Sequence, residues 1–315
     1  MSIRKYEENP VLTRLSVPFK VNSIFNPGAV KINDEYFLLC RVELPGGRSS
    51  LVPARSRDGY NFTVDKSPCL TPEDHGEYYP LVEWGIEDAR IIQIGNKYFL
   101  TYTGYSRLLP LVMLAETEDF KSFKIYGPIA EPSNKDCAIF PEKINGKYWK
   151  MDRPSNEERN YIWLSSSPDL IHWGEFKLLA EPEPGTWEAN KVGGSTPPVR
   201  TKEGWLFLYH GVRGFGIASS IYRIGAMLLD LNEPWKIIGK TSEPILSPEE
   251  DFERVGDVGN VVFTNGWIVE ENGDVKIYYS GADSNICVAE TTVEHLLSLC
   301  HKKQNYPIAA GADSK

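Results

Sequence analysis

The chain is short of positive charge: 34 Lys and Arg stand against 43 Asp and Glu over 315 residues, a formal charge of −9. A protein whose main partner is nucleic acid needs a basic face to displace counterions. That class is excluded, while a local basic pocket for a small anion is not. Cysteine is sparse and unpaired. Cys40, Cys69, Cys137, Cys287 and Cys300 are odd in number and widely spaced, with no Cys-x-x-Cys pair, which suits reduced thiols and argues against structural zinc. No apolar run approaches membrane-spanning length, and Met1 to Glu8 carry too much charge for a signal peptide. The expectation is a cytoplasmic protein with neither a membrane nor a nucleic-acid partner and no metal site. Helical periodicity is also missing from most of the chain.

Aromatic residues and turns are plentiful: 16 Tyr, 13 Phe and 8 Trp among short apolar runs broken by Gly, Pro, Asn and Asp. This composition favours strands and tight turns, and 41% apolar content is enough for a sizeable core. A turn followed by an aromatic-rich strand recurs five times, beginning at Asn33, Gly95, Asn145, Glu203 and Gly273. The spacing leaves room for a four-stranded unit each time. Each turn follows another strand with a polar residue at its start, in the stretches 26–30, 88–91, 136–140, 195–199 and 257–261. A third element, Ser56 to Phe62, reappears as Thr117 to Phe123 and Ser167 to Trp173. The pattern predicts an all-β, five-bladed β-propeller over residues 1–303, with a segment before about residue 20 closing the ring. Thr291 to Glu294 has capping-box spacing, and Val293, Leu296, Leu297 and Cys300 share a face. A short C-terminal helix is expected there, then a flexible tail over 304–315.

The polar starts of the inner strands would ring a central channel. Asn and Asp at such places usually just make turns, but five in corresponding positions favour a site. Asp88, in Gly85-Ile86-Glu87-Asp88-Ala89-Arg90, is the candidate acid. Neighbours on a strand face opposite ways, so Glu87 is expected to pair outside the channel. Asp136, Asp152, Asp257 and Asp283 follow similar logic in other units. Arg41, Arg153 and His210 end equivalent second strands, and Lys191 lies in a glycine-rich approach to the fourth inner strand. Converging cations of this kind make an oxyanion or phosphate site. Trp84, Trp187, Tyr102, Tyr105 and Tyr209 are candidates to stack on sugar rings, although most aromatics are expected between blades.

Together with Lys135 to Lys143, Met151 to Pro154, Gly194 to Pro198, Leu208 to Val212 and Tyr279 to Asp283, the Gly85 to Arg90 motif resembles the β-mannoside phosphorylases of glycoside hydrolase family 130. The likeness runs from about Asn26 to Glu290. It implies a five-bladed propeller and inverting phosphorolysis of a β-mannoside to α-mannose 1-phosphate and a shortened acceptor. No cofactor is implied, and inorganic phosphate is a co-substrate. Asp88 matches the family's general acid, thought to act through the mannosyl 3-hydroxyl. Arg153, Lys191, His210 and Tyr222 would hold phosphate, and Asn26, Arg41, Asp136 and Asp283 the sugar. Ala89 and Asp152 depart from the proline and histidine of many relatives, which leaves linkage and acceptor open, as are the oligomeric state and the assignment of a homo-oligomer. An acid working near neutrality needs a raised pKa, here expected from burial, Glu87 or Asp136. The competing readings are an inverting hydrolase, with Asp257 or Asp283 activating water, and a carbohydrate-binding propeller without catalysis.

Overall fold

The computed structural model describes residues 2–155, 160–214 and 220–301; the tail expected over 304–315 lies outside them. After β1 (Arg4–Lys5), the strands fall into five antiparallel units. The first is β2 (Ser23–Ile32), β3 (Glu35–Glu43), β4 (Ser49–Ser56) and β5 (Thr63–Val64). The second is β6 (Gly85–Ile94), β7 (Lys97–Tyr105), β8 (Leu111–Thr117) and β9 (Lys124–Pro128), and the third β10 (Asn134–Ile139), β11 (Tyr148–Pro154), β12 (Ile162–Ser167) and β13 (Gly174–Ala180). In the fourth, β14 (Lys191–Gly194) and β15 (Val199–Arg200) both pair with β16 (Trp205–Arg213), followed by β17 (Ile221–Leu229) and β18 (Ile237–Lys240). A one-turn helix α1 (Asp251–Arg254) precedes the fifth, β19 (Val262–Val269), β20 (Asp274–Gly281) and β21 (Asn285–Thr292). β1 completes that unit by pairing with β21 at its edge, so the segment before residue 20 does supply a strand to the fifth unit. A single parallel bridge, Ser49 to Gly85, joins the first two units into one sheet.

Buried apolar side chains gather between units. Phe37, Leu39 and Leu51 of the first unit meet Ile86, Leu100 and Met113 of the second. Val112 and Leu114 meet Cys137 and Ile139 of the third. Trp149, Met151 and Leu164 pack on Trp205, Phe207 and Tyr209 of the fourth. Leu206, Leu208 and Ala226 pack on Val262, Trp267 and Tyr279 of the fifth, and Tyr278, Ile286 and Val288 return to Leu38 and Val52 of the first. Each unit thus covers the next, and the fifth covers the first. Burying each large apolar side chain contributes roughly 1.5–3 kcal/mol, so these five seams hold the molecule together.

The recurrent third element is an Asp-centred turn between third and fourth strands. Asp58, Asp119 and Asp169 each accept two backbone N–H bonds from residues two and three further on. Asp230 does the same in the fourth unit, a copy whose sequence had diverged too far to stand out. Three expectations shift. The fourth inner strand, expected over 195–199, is split into β14 and β15, with 195–198 outside either strand. The fifth is β19, not 257–261, because the chain bends through 255–260 after α1 and Val261 makes only an isolated bridge to Tyr222. The C-terminal helix α2 (Val293–Cys300) is capped by Thr292, whose side chain accepts from His295 N, one residue later than the Thr291 box suggests.

Candidate active site

The first strands of three units carry the same irregularity. Pairing slips between Phe25 and Gly28, Glu87 and Arg90, and Lys135 and Ala138. Each slip inserts one residue, a β-bulge that re-aims side chains. Asn26, Asp88 and Asp136 sit there with φ of 45°, 56° and 56°. Asn and Asp tolerate this left-handed region better than other side chains carrying a Cβ. β19 slips at the corresponding place, between Thr264 and Gly266, and Asn265 donates to the Asn26 carbonyl at 3.1 Å.

A cavity of about 450 Å³ opens where these strands converge. The nine residues given an acid, phosphate or sugar role by the family resemblance all line it: Asn26, Arg41 and Asp88 beside Asp136, Arg153 and Lys191, with His210, Tyr222 and Asp283. Asp88 is buried, and its Oδ1 accepts from Asn26 Nδ2 at 2.9 Å and Arg41 Nη1 at 3.1 Å. Asn26 is itself held by Ser280, which accepts from its backbone N–H and donates to its side-chain carbonyl. Glu87 was expected to face away from Asp88, but the bulge breaks the alternation. Arg41 therefore binds both, donating through Nη2 to Glu87 Oε1 at 2.8 Å. Glu87 remains outside the cavity lining, with Lys135 Nζ 3.5 Å from its other oxygen.

The expected upward shift of Asp88 does not occur. Burial pushes its pKa up, but Arg41, Arg90, Lys135 and the Asn26 bond outweigh this and hold it below the usual carboxylate range. Asp283 moves instead. Burial, with Asp88, Asp257 and Glu87 adding negative charge, pushes it to about 7 against the opposing pull of Arg41. Asp257 is exposed and does not line the cavity.

A second, cationic cluster in the same cavity is assembled on Asp136. Its Oδ1 accepts from Arg90 Nη2 at 3.2 Å, its Oδ2 accepts from Arg153 Nε, and His210 Nε2 stands 3.5 Å away. These charges overcome burial and keep Asp136 ionised far below the ordinary range. Arg153 Nη1 also donates to Asn160 Oδ1 at 2.6 Å. Burial lowers His210 to about 3, with Arg153, Arg90 and Lys191 adding to it and Asp136 opposing, so the imidazole is neutral at pH 7. The Lys191 amine is half-buried, lowered by burial and by Arg153, and no hydrogen bond or ion pair engages it among the described residues. Gly193 leaves the space this arrangement needs, since a Cβ there would run into the His210 ring and lie 2.8 Å from Asp136 Oδ2.

Sequence reasoning understated several groups. Lys135, Asn160, Asn190 and Phe263 also line the cavity. The position of Lys135 next to Asp136 was its only signal, and Asn160 had none. Arg90 is almost wholly buried, bonding the carbonyls of Asp88, Gly194 and Ser195 as well as Asp136. Asp152 is buried against Lys150, away from the cavity. Among the aromatics, Tyr102, Trp187 and Tyr209 belong to the packed seams, whereas Trp84 and Tyr105 are exposed. Among the described residues no group of three or more His, Cys, Asp or Glu is placed to hold a metal, and no helix is long and apolar enough to cross a membrane.

Comparison with known proteins gives a consistent result. The model of glycoside hydrolase family 130, described as beta-1,4-mannooligosaccharide phosphorylase, matches residues 2–302. A beta-1,2-mannobiose phosphorylase of Listeria innocua is 35% identical, covering 94% of this chain and 98% of that protein. A beta-1,4-mannooligosaccharide phosphorylase of Ruminococcus albus is 33% identical over 94% of this chain and 90% of its own. The solved structure of the Listeria innocua beta-1,2-mannobiose phosphorylase in complex with beta-1,2-mannobiose superposes with a TM-score of 0.87 at 34% identity, covering 95% of this chain and 99% of that one.

Proposed function

The chain belongs to glycoside hydrolase family 130, and from that premise we propose that it cleaves β-mannosides by inverting phosphorolysis, releasing α-mannose 1-phosphate and a shortened acceptor. The five units are read as the blades of a five-bladed propeller forming one catalytic domain over 1–303, a reading supported by the closed circuit of seams. Five free cysteines fit a cytoplasmic location.

The observation that carries the reaction type is the contrast within the cavity between one buried carboxylate, held on a single oxygen by Asn26 and Arg41, and a cluster of cations whose Lys191 amine no described residue engages. Phosphate is already an anionic nucleophile and needs a positive cradle, whereas an inverting hydrolase needs a second carboxylate to activate water. Asp136 is locked by two guanidinium groups and Asp257 lies outside the cavity, so Asp283, pushed to about 7, is the one carboxylate left to activate water, and the phosphate dependence tested below separates the two reactions. In our reading Lys191, Arg153, His210 and Tyr222 hold phosphate on one face of the anomeric carbon. Asn26, Arg41, Asp136 and Asp283 orient the mannosyl unit, and Asp88 delivers a proton toward the departing oxygen through the mannosyl 3-hydroxyl. The low pKa of Asp88 fits this order. Phosphate arriving beside Arg153 and Lys191 adds negative charge to the cavity and raises the proton affinity of Asp88, so the acid is loaded when the nucleophile is bound.

The linkage we favour is β-1,2, on the likeness to the mannobiose phosphorylase. The test is product release from β-1,2- and β-1,4-linked mannobiose with and without inorganic phosphate. Phosphate-dependent mannose 1-phosphate is expected; free mannose formed equally fast without phosphate would make the protein a hydrolase.

A further inference from the structure

Trp84 and Tyr105 are the only tryptophan and tyrosine among the described residues that are strongly exposed, at 47% and 38%, and they touch each other. Their ring centroids are 5.5 Å apart at 66°. The backbone fixes the pair, because Trp84 N–H donates to the Tyr105 carbonyl at 3.0 Å and Tyr105 is the partner of Gly85 across β6 and β7. Glu83 and Arg107, 3.6 Å apart, tie the β7–β8 turn to the same segment, and that turn also exposes Leu108. Adjoining exposed apolar side chains of this kind are what ligand-binding grooves present at their surface.

Its position says what. Lys135 lines the active-site cavity and places its ammonium 5.7 Å from the centre of the Tyr105 ring, so the platform adjoins the cavity. Trp84 precedes Asp88 by four residues, roughly 10–13 Å along a strand, which leaves room for one sugar ring between them. The pair belongs to the second unit, beside the acid, whereas the candidate phosphate cluster comes from the third and fourth. In an inverting displacement the leaving group departs from the face opposite the nucleophile, and so past Asp88 toward this platform.

We propose that Trp84 and Tyr105 form an outer subsite on the acceptor side, where the second sugar of the departing chain lays its C–H face on the rings, making manno-oligosaccharides of three or more units better substrates than the disaccharide. The proposal rests on the phosphorolysis reading. Stacking buries apolar area on both partners and is indifferent to hydroxyl pattern, which suits a site for chain length.

The test compares phosphorolysis of manno-di-, tri- and tetrasaccharides of the cleaved linkage by the wild type, Trp84→Ala and Trp84→Phe. In the wild type kcat/KM is expected to rise about fivefold to tenfold from di- to trisaccharide, with little further gain at tetrasaccharide. Trp84→Ala brings the tri-to-di ratio close to one, chiefly through KM for the trisaccharide, and Trp84→Phe restores most of it. A wild-type ratio near one, or an equal loss on both substrates in Trp84→Ala, overturns the subsite while leaving phosphorolysis in place. Absence of phosphate-dependent turnover on every chain length would overturn the phosphorolysis reading, and this inference with it.

Discussion

Replacing Asp283 by Asn should stabilise the protein, and should do so only at higher pH. Asp283 lies in the turn between β20 and β21 at φ 50°, half-buried at the cavity wall, with its pKa pushed to about 7 by burial and the neighbouring acids. An unfolded aspartate titrates near 3.9, so between about pH 4 and 7 the native state binds a proton that the unfolded state has already lost. Ionising Asp283 therefore costs native stability. The penalty is small below about pH 4, grows as pH rises, and levels off above about pH 7, where the displacement corresponds to about 4 kcal/mol. Partial exposure trims this to about 2–4 kcal/mol. Asparagine has the same shape and cannot ionise. Urea unfolding of the wild type and Asp283→Asn at pH 4 and pH 8 measures the difference directly. The variant is expected to gain about 2–4 kcal/mol at pH 8 and less than about 1 kcal/mol at pH 4. A gain of equal size at both pH values, or a loss at pH 8, would refute the reasoning. A group kept at such a cost points to selection for something other than stability.

Arg41→Met removes the cation shared by Glu87 and Asp88 and should cost about 3–5 kcal/mol at pH 8. Asp88 is held low in the wild type, so the stability it lends is present above the unfolded carboxylate pKa and lost as pH falls. The cost measured by urea unfolding should accordingly hold from pH 8 to about pH 5 and shrink only below about pH 4, and a deficit that stays constant down to about pH 3 would argue against the ion pair as its source. Lys191→Met should raise KM for phosphate by about tenfold or more while changing KM for the mannoside far less, as initial rates at varied phosphate will tell. Gly193→Ala should cost about 1–3 kcal/mol through overpacking against His210 and Asp136, and equilibrium unfolding that matches the wild type would show that the ring has room to move.

The repeat was readable because hairpin turns and aromatic strands must recur wherever sheets pack face to face in series. The five turns at Asn33, Gly95, Asn145, Glu203 and Gly273 marked all five units. What lay hidden has local causes. The fifth inner strand was placed too early because Asp257 to Val261 imitates a polar strand start, whereas the chain bends through 255–260 and the strand begins only at Val262. Asp230 repeats the turn of Asp58 through the same backbone bonds, but the residues around it differ. The pKa of Asp88 was misjudged because its sign depends on where Arg41, Arg90 and Lys135 end up, and these come from three different strands. Pairwise distances of that kind have no trace in spacing along the chain.

Asn26, Asp88 and Asp136 also show why a turn-forming residue and a working residue need not be competing explanations. Each sits at an inserted position with positive φ, where most side chains would be strained and Asn or Asp is tolerated. The same insertion breaks the strand alternation and delivers the side chain to the cavity. The backbone demand thus restricts the choice to residues that carry a polar oxygen, and the cavity then uses it: Asn26 to hold Asp88, Asp136 to hold Arg90 and Arg153. The fourth unit supports this by contrast. Its strand ends in Gly193 and Gly194, and the room left by the missing side chains is occupied by His210 and Asp136 beside Gly193 and by Met151 beside Gly194. The inserted position thus brings acid or amide to the cavity in the first three units, while the fourth, whose pairing runs without a slip, leaves its space to neighbouring side chains.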